Sequence, residues 1–529
     1  MTWPAWFNTA LANTGPQSWV ISARVFDWIP GLGGDWKLAT VPMADHDVGL
    51  GGESHPPYIP SPPAVAVRTW QTTGGGFSLH VVGDSNMRRA LARLAPGSLV
   101  GVYAGPRTSS PGAHARIDLG QFIGAQQVSS RASGVLPVWR LNFAPAWSCL
   151  RRRPGTNFDN RLFNYAGYDV TISGGAYTSG ASTLQLSSVT GIERQAGGYG
   201  IVKVTGNSGA TFYLRWTGIS GTTLTVDTSP YFGTTLENAN VGNKVEGIVY
   251  LRGHPAEIIR RLLVSTGSAD FSAGTAGSNG SHDLYPETWG FGIDRADVDG
   301  DGFGRLKSDV MTVDSASGNY LAEILVETAP DNALDWLTSW LRPLGVFLRT
   351  YQGKFSAWAC QDPWSTSSLF GSFGVTDDLL LPDRLQWQPV TAEGTHNSSQ
   401  ITSDASSYGD DTKTSAYTSA PVFYKRSRDV TGILRSDLSD HAEDVNGRCS
   451  PWDTRPLSRL GGQWGSGFYG RLGLGELTRV STPALGLFTP DQADSGDVLE
   501  KTPAMVTAGP VLDLYNGRVW VGLTLIPES

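Results

Sequence analysis

The segment DRADVDGDGFGRLKSD sets carboxylates at alternate positions, Asp297, Asp299 and Asp301, directly ahead of Gly302. Alternating oxygen ligands followed by glycine are how a calcium loop wraps a hard cation, because the side chains converge and the glycine permits the sharp turn. The pattern breaks at its twelfth position. A bidentate Glu should close the shell there, but Ser308 occupies the place and Asp309 comes one residue late. An incomplete shell leaves the repulsion between carboxylates uncompensated. The expectation is a solvated acidic turn that binds no calcium tightly.

A second constellation is Gly83, Asp84, Ser85 and Asn86, which follows the strand-like run FSLHVV. A serine hydroxyl becomes a useful nucleophile only beside a general base. The block resembles the Gly-Asp-Ser motif of SGNH-class esterases, which implies a histidine three residues after an aspartate near the C-terminus. Here the nearest candidate is His441, preceded by Asp437 and Asp440, so the spacing differs. The family's Gly-x-Asn-Asp setting for an oxyanion hole is not recognisable. Asp84, Ser85 and Asn86 are also ordinary turn residues, and a turn is the expectation.

Other chemistries find no anchor. There is no His-Glu-x-x-His, no phosphate-cradling Gly-x-x-x-x-Gly-Lys-Ser/Thr and no dinucleotide glycine fingerprint. Paired carboxylates for glycoside cleavage meet in space rather than in sequence, and nothing selects a pair. Cys149, Cys360 and Cys449 lie far apart with no Cys-x-x-Cys spacing, which argues against zinc, a disulfide framework or a cysteine-ligated cluster and leaves buried free thiols. Arg151, Arg152 and Arg153 precede Pro154 and Gly155, and read as a solvated turn rather than a phosphate site. The expectation is a protein with no catalytic residues, no cofactor and no metal.

The elements that must carry these residues are short strands. The 529 residues suit three or four domains. The 65 Gly and 31 Pro imply many turns, while 18 Trp, 17 Tyr and 19 Phe supply the bulk that a disordered chain lacks. The net charge of -8, with Arg151, Arg152 and Arg153 as the one dense basic run, argues against specific nucleic-acid recognition. The first residues have no basic region followed by an apolar core, and no run approaches the 18 or more apolar residues of a membrane span. A soluble chain, not exported by a signal peptide, is expected.

From Trp19 to Trp147 the runs WVISARVFDW, AVAVRTW, FSLHVV, SLVGVYAG, IDLGQFIGAQQV and LPVWRLNFAPAW alternate with Gly/Pro/Ser clusters, a sandwich or barrel signature. The prolines of 54–63 confine that stretch to a surface loop. Residues 168–248 are Thr/Ser/Val/Leu strands joined by Gly-rich turns, a small inserted β domain. Two helices follow. In GHPAEIIRRLLVSTG, Pro255 suits the first turn, Ile258, Ile259, Leu262 and Leu263 form a stripe, and Gly267 ends it. In PDNALDWLTSWLRPLG, Asp331 or Asn332 caps, Leu334, Leu337, Leu341, Trp336 and Trp340 give a wide buried face, and Pro343 stops the helix. A hairpin turns at Gln352 and Gly353. Residues from Asn397 to Thr418, rich in Ser, Thr and Asp, are expected to be a mobile loop or an extended arm. A further helix is expected through DLSDHAEDVNGRC. Asn516-Gly517 between alternating runs signals a closing hairpin.

The order of these pieces resembles the baseplate hub, or tail-tip hub, proteins of long-tailed bacteriophages. The N-terminal run, with SLVGVYAG, IDLGQFIGAQQV and LPVWRLNFAPAWSCLRRR, is similar to their first tube-like β domain. GHPAEIIRRLLVSTG leading to ETWGFGIDRADVD resembles the opening of their middle domain. DNALDWLTSWLRPLGVFLRTYQGKFSAW resembles that domain's helix and hairpin, and LGLGELTRVSTPALGL with the last hairpin resembles a second tube-like domain. The resemblance implies a mainly β, multidomain chain with an α+β middle module. Its parts would be tube-like β-barrel domains at 1–165 and 381–529, a small inserted β domain at 166–250 and the middle domain at 251–380. Some relatives carry a cysteine-ligated iron-sulfur cluster, whose spacing is not reproduced here.

By the same resemblance the chain would be a non-enzymatic structural virion protein at the tail tip, assembled in the host cytoplasm and acting in host attachment and genome ejection. Its partners would be copies of itself in a homotrimer, the distal tail protein ring, the tape-measure protein and a central tail fibre or spike. DNA would pass through the lumen without specific binding, and no stable membrane insertion is implied. The competing readings are an SGNH-like esterase and a carbohydrate-binding adhesin. In the adhesin, Tyr213 and Trp216 of the insert would stack on sugar, although on a strand such aromatics more often fill a core.

Overall fold

The structure is a computed structural model. It describes residues 76–82, 96–104, 115–128, 137–151, 170–189, 200–230, 234–264, 295–311, 331–342 and 344–361. It also describes the other strands named below and the single positions Ile192, Ile293, Arg448 and Gly475. The chain is mainly β, with few helices.

In the N-terminal part, β1 (Val20–Trp28) pairs antiparallel with β2 (Trp36–Ala44), and β3 (Val48–Leu50) with β4 (Glu53–His55). The strand β5 (Ala64–Ala66) joins a sheet at the other end of the chain. A four-stranded sheet follows, made of β6 (Phe77–Val82), β7 (Leu99–Ala104), β8 (Ala115–Gln127) and β9 (Val138–Pro145) in the order β6-β9-β8-β7. Alternation sets its faces: Phe77, Leu79 and Val81 are buried while His80 is exposed, and Leu141 and Phe143 are buried opposite them. Phe77 stacks on Phe143 at 4.5 Å between centroids, a cross-strand aromatic pair that fixes register. β9 runs into a 3-10 turn, Ala146–Leu150, which buries Trp147, Cys149 and Leu150.

The insert is built from β10 (Thr183–Gln185), β11 (Gly200–Thr205), β12 (Thr211–Ser220), β13 (Thr223–Val226) and β14 (Val245–Gly253). Val202, Val204, Phe212, Leu214, Trp216, Leu224 and Val226 share one core with Tyr177 and Val245. Such β-branched and aromatic residues at every second position are what a half-buried pleated sheet favours. β14 pairs with β11 through Val245–Ile248 and with β15 (Ala322–Val326) through its second half. One strand therefore crosses residue 250, where sequence placed a domain boundary.

The middle module holds α1 (Pro255–Val264), α2 (Gly300–Arg305, prolonged by a π-type turn through Val310), α3 (Ala333–Leu341) and a hairpin of β16 (Val346–Tyr351) and β17 (Lys354–Ala359). Pro255 opens α1 and its expected stripe is buried. Asn332 caps α3 by accepting the Asp335 N–H at 3.2 Å, and Leu334, Leu337, Trp340 and Leu341 are buried, with Trp336 half-buried. The hairpin turn has Gln352 at φ 50° and Gly353 at φ 67°. Two consecutive positive φ values make the tight primed turn that matches strand twist.

Toward the C-terminus, β18 (Arg384–Pro389), β22 (Ser458–Gly465), β25 (Arg518–Leu525), β24 (Thr502–Asp513) and β23 (Leu477–Val480) lie in that order in one sheet. β5 pairs with β24, Val65 opposite Leu512. The expected closing hairpin is the β24–β25 pair, joined through 514–517. A separate three-stranded sheet holds β19 (Ser398–Ala405), β20 (Gly409–Ala416) and β21 (Lys425–Thr431), in the order β20-β19-β21. This corrects the expectation of a loop or arm from Asn397 to Thr418. Pairing satisfies backbone groups whatever the side chains, so poverty in bulky apolar groups did not report on pairing. The expected helix through DLSDHAEDVNGRC lies outside the described residues, apart from Arg448. Among the described residues no helix is long and apolar enough to cross a membrane.

Candidate functional site at the module junction

The acidic segment sits where the N-terminal sheet meets the middle module. Arg295–Asp297 forms a 3-10 turn, Val298 makes a parallel bridge with Phe355, and the Asp299 N–H donates to the Phe355 carbonyl at 2.8 Å. The segment is thereby held along the hairpin before α2 starts. Asp297 and Asp299 are 4% and 3% exposed, which corrects the expectation of a solvated turn. A buried carboxylate needs compensation, and each has a specific partner. Asp297 accepts from the Arg116 guanidinium on β8, which also donates to the Ala296 carbonyl at 2.8 Å. Asp299 is the N-cap of α2: its Oδ1 accepts the Gly302 N–H at 3.0 Å and its Oδ2 the Ser356 hydroxyl at 3.0 Å.

Asp301 is exposed, while the Ser308 hydroxyl donates to the Gly304 carbonyl at 3.1 Å. The alternation seen in sequence thus serves a capped helix entry and an ion pair between modules. Among the described residues no group of three or more His, Cys, Asp or Glu side chains is gathered as a metal site would require.

The same junction is tied by aromatics and a buried cation. Trp147, at the end of the β9 run, donates its indole N–H to the Arg349 carbonyl at 2.8 Å and meets Phe355 edge-on at 5.0 Å. Arg349 is fully buried, with its guanidinium carbon 4.5 Å from the Tyr351 ring and 4.7 Å from the Trp358 ring. Arg349, Tyr351 and Trp358 share one face of the hairpin by register, so the rings accept the guanidinium between them. Gly475 is required where it stands. A Cβ there would lie 2.1 Å from Phe347 and 2.9 Å from Trp358, and its φ is 83°. Arg448 donates to the Leu344 and Cys360 carbonyls, bringing the C-terminal part onto the hairpin's base.

Two titratable groups stand out. Asp118, two residues beyond Arg116 and beside a β-bulge, is fully buried. Burial pushes its carboxyl up to about 7 against the opposing effect of the Leu119 N–H. Its Oδ2 has no hydrogen-bond partner. His254 precedes α1. Burial pushes its imidazole down to about 4, outweighing the Met311 carbonyl and Glu257, which favour the charged form.

Of the residues singled out from sequence, Gly83, Asp84, Ser85, Asn86, His441, Arg152, Arg153 and Cys449 lie outside the described residues. Arg151 is exposed; Cys149 and Cys360 are buried free thiols. Trp216 fills the insert's core, whereas Tyr213 lies on the other face opposite Lys203. Sequence reasoning missed Arg116, Trp147, Arg349 and His254. Only His254 left a local signal, its place just before Pro255 at a helix start.

No family model and no curated protein matches this chain. Among solved structures it is similar to the crystal structure of the Borreliella burgdorferi PlzA protein in complex with c-di-GMP, at 10% identity over 43% of this chain and 85% of that one, with a TM-score of 0.13.

Proposed function

We propose that the chain is a structural virion protein, the hub at the distal end of a phage tail. It would form a homotrimer that continues or closes the tail tube and joins the distal tail ring to the tape measure and central fibre. The observation that carries this reading is the pairing of β5 with β24, which brings a three-residue strand of the N-terminal part, Ala64–Ala66, into the C-terminal sheet. Each chain can supply two segments of a ring only if two tube-like domains lie side by side, and a strand shared between the two ends of the chain would tether them for that.

The junction supports the same reading. Asp297 and Asp299, the carboxylates best placed by sequence for chemistry, are instead committed to structural contacts: Asp297 ties the middle module to the N-terminal sheet through Arg116, and Asp299 holds the start of α2 on Ser356 of the hairpin. A hub bears load between neighbours, and buried polar contacts at a joint fix its geometry more sharply than apolar packing does. The test is the native mass of the purified chain together with its position in virions by labelled electron microscopy. A trimer at the tail tip is expected; a monomer absent from particles overturns the proposal.

A further inference from the structure

We propose that His254 is an acid-operated clasp: as a neutral imidazole it locks the start of α1 to the end of the α2 segment, and protonation opens that joint.

The clasp has two arms. Nδ1 accepts the Ala256 N–H at 3.1 Å, satisfying one of the donors that a helix N-terminus leaves open. Nε2 lies 3.1 Å from the Met311 carbonyl and donates to it. With one nitrogen accepting and the other donating, the ring must be the neutral Nε2–H tautomer. A second proton on Nδ1 would set two donors against each other at the helix start. His254 is 6% exposed, so water cannot replace the lost acceptor without opening the joint.

The charged groups around the ring make the imidazolium worse off. Lys307, on the turn that follows α2, and Arg448, from the C-terminal part, both oppose a positive ring. Glu257 on α1 favours it but is already paired with Lys307 and Arg261. Arg448 cannot withdraw freely, because its guanidinium is buried on the Leu344 and Cys360 carbonyls. Protonation therefore strains two contacts together, the cap of α1 and the seat of Arg448. An acid step would loosen the middle module where the C-terminal part docks on it.

The sign follows from burial. The exposed ring binds its proton near its ordinary value, 6.5, and the buried ring only near 4, so the closed state loses ground as pH falls through that window. Site-resolved hydrogen exchange on the intact protein between pH 7.5 and 4, corrected for intrinsic rates, tests this. Amides at the start of α1 and around Leu344 and Cys360 should lose protection together, on the order of 10²-fold. In His254→Asn, whose side chain caps without titrating, the loss should disappear. If that variant does not fold, the wild-type profile decides alone. Protection of α1 that holds to pH 4, or falls only with the whole molecule, overturns the proposal, as does an unchanged acid response in His254→Asn.

Discussion

Trp147 and Arg349 meet through an indole N–H and a main-chain carbonyl 2.8 Å apart, both buried, the first at the end of the N-terminal sheet and the second in the middle module's hairpin. Removing only the donor takes away one buried hydrogen bond to that carbonyl, which costs about 0.5–1.5 kcal/mol. Trp147→Phe is expected to lose that much stability in denaturant titration. Trp147→Ala adds the lost packing against Phe355 and should cost about 3–5 kcal/mol.

Arg116 and Asp297 form an ion pair with side chains 12% and 6% exposed. Breaking one side of such a pair costs about 3–5 kcal/mol because the other charge stays buried. Arg116→Met and Asp297→Asn should each be strongly destabilising, and the double variant clearly less so than their sum. Additive losses in the double-mutant cycle would mean that the two groups do not act as a pair.

Calcium should leave the thermal midpoint unchanged at millimolar concentration. Asp297 and Asp299 already accept from Arg116, Gly302 and Ser356, and a cation would have to displace those donors. A rise in midpoint reversed by a chelator would contradict this.

Asp118 makes stability fall as pH rises. Its unfolded carboxyl releases the proton near 3.8 and its folded one only near 7, so the folded state holds more protons between those values. Its contribution is complete below pH 3.8 and is lost as pH passes 7, by about 4 kcal/mol at most. His254 acts in the opposite sense over much of the same window, so the wild-type profile should be flatter than either group alone dictates. Asp118→Asn should unmask a profile that climbs steadily from pH 4 to 6.5 in melts across that range.

Leu337→Ala is expected to cost about 2–5 kcal/mol, since Leu337 is completely buried on α3, and, if the chain is the proposed hub, to impair tail assembly. Ser85→Ala and His441→Ala should leave assembly and infectivity intact if the chain performs no ester hydrolysis. Normal particles without infectivity in either variant would favour the esterase reading instead.

What could be read from sequence was local. Gln352-Gly353 fixed a hairpin because its turn demands two positive φ values, and the Leu334, Leu337 and Leu341 spacing fixed the buried face of α3. Neither depends on distant residues. Arg116 and Asp297 are 181 positions apart, and nothing near either one announces the other. The error at Asp297 and Asp299 has the same origin: a row of carboxylates looks solvated until the fold brings distant donors to it, Arg116 to Asp297 and Ser356 to Asp299. At 398–416 the misreading was different, because hydroxyl-rich strands pair through their backbone and carry no apolar stripe to betray them.

The meeting of Ala64–Ala66 with Val511–Asp513 also orders events during synthesis. At about 5–20 residues per second, the early strand waits on the order of tens of seconds before its neighbour leaves the ribosome. Throughout that delay its edge is open to the same segment of another nascent chain. Translation speed and the spacing of ribosomes on the message thus become part of what decides whether the sheet closes within one molecule or between two.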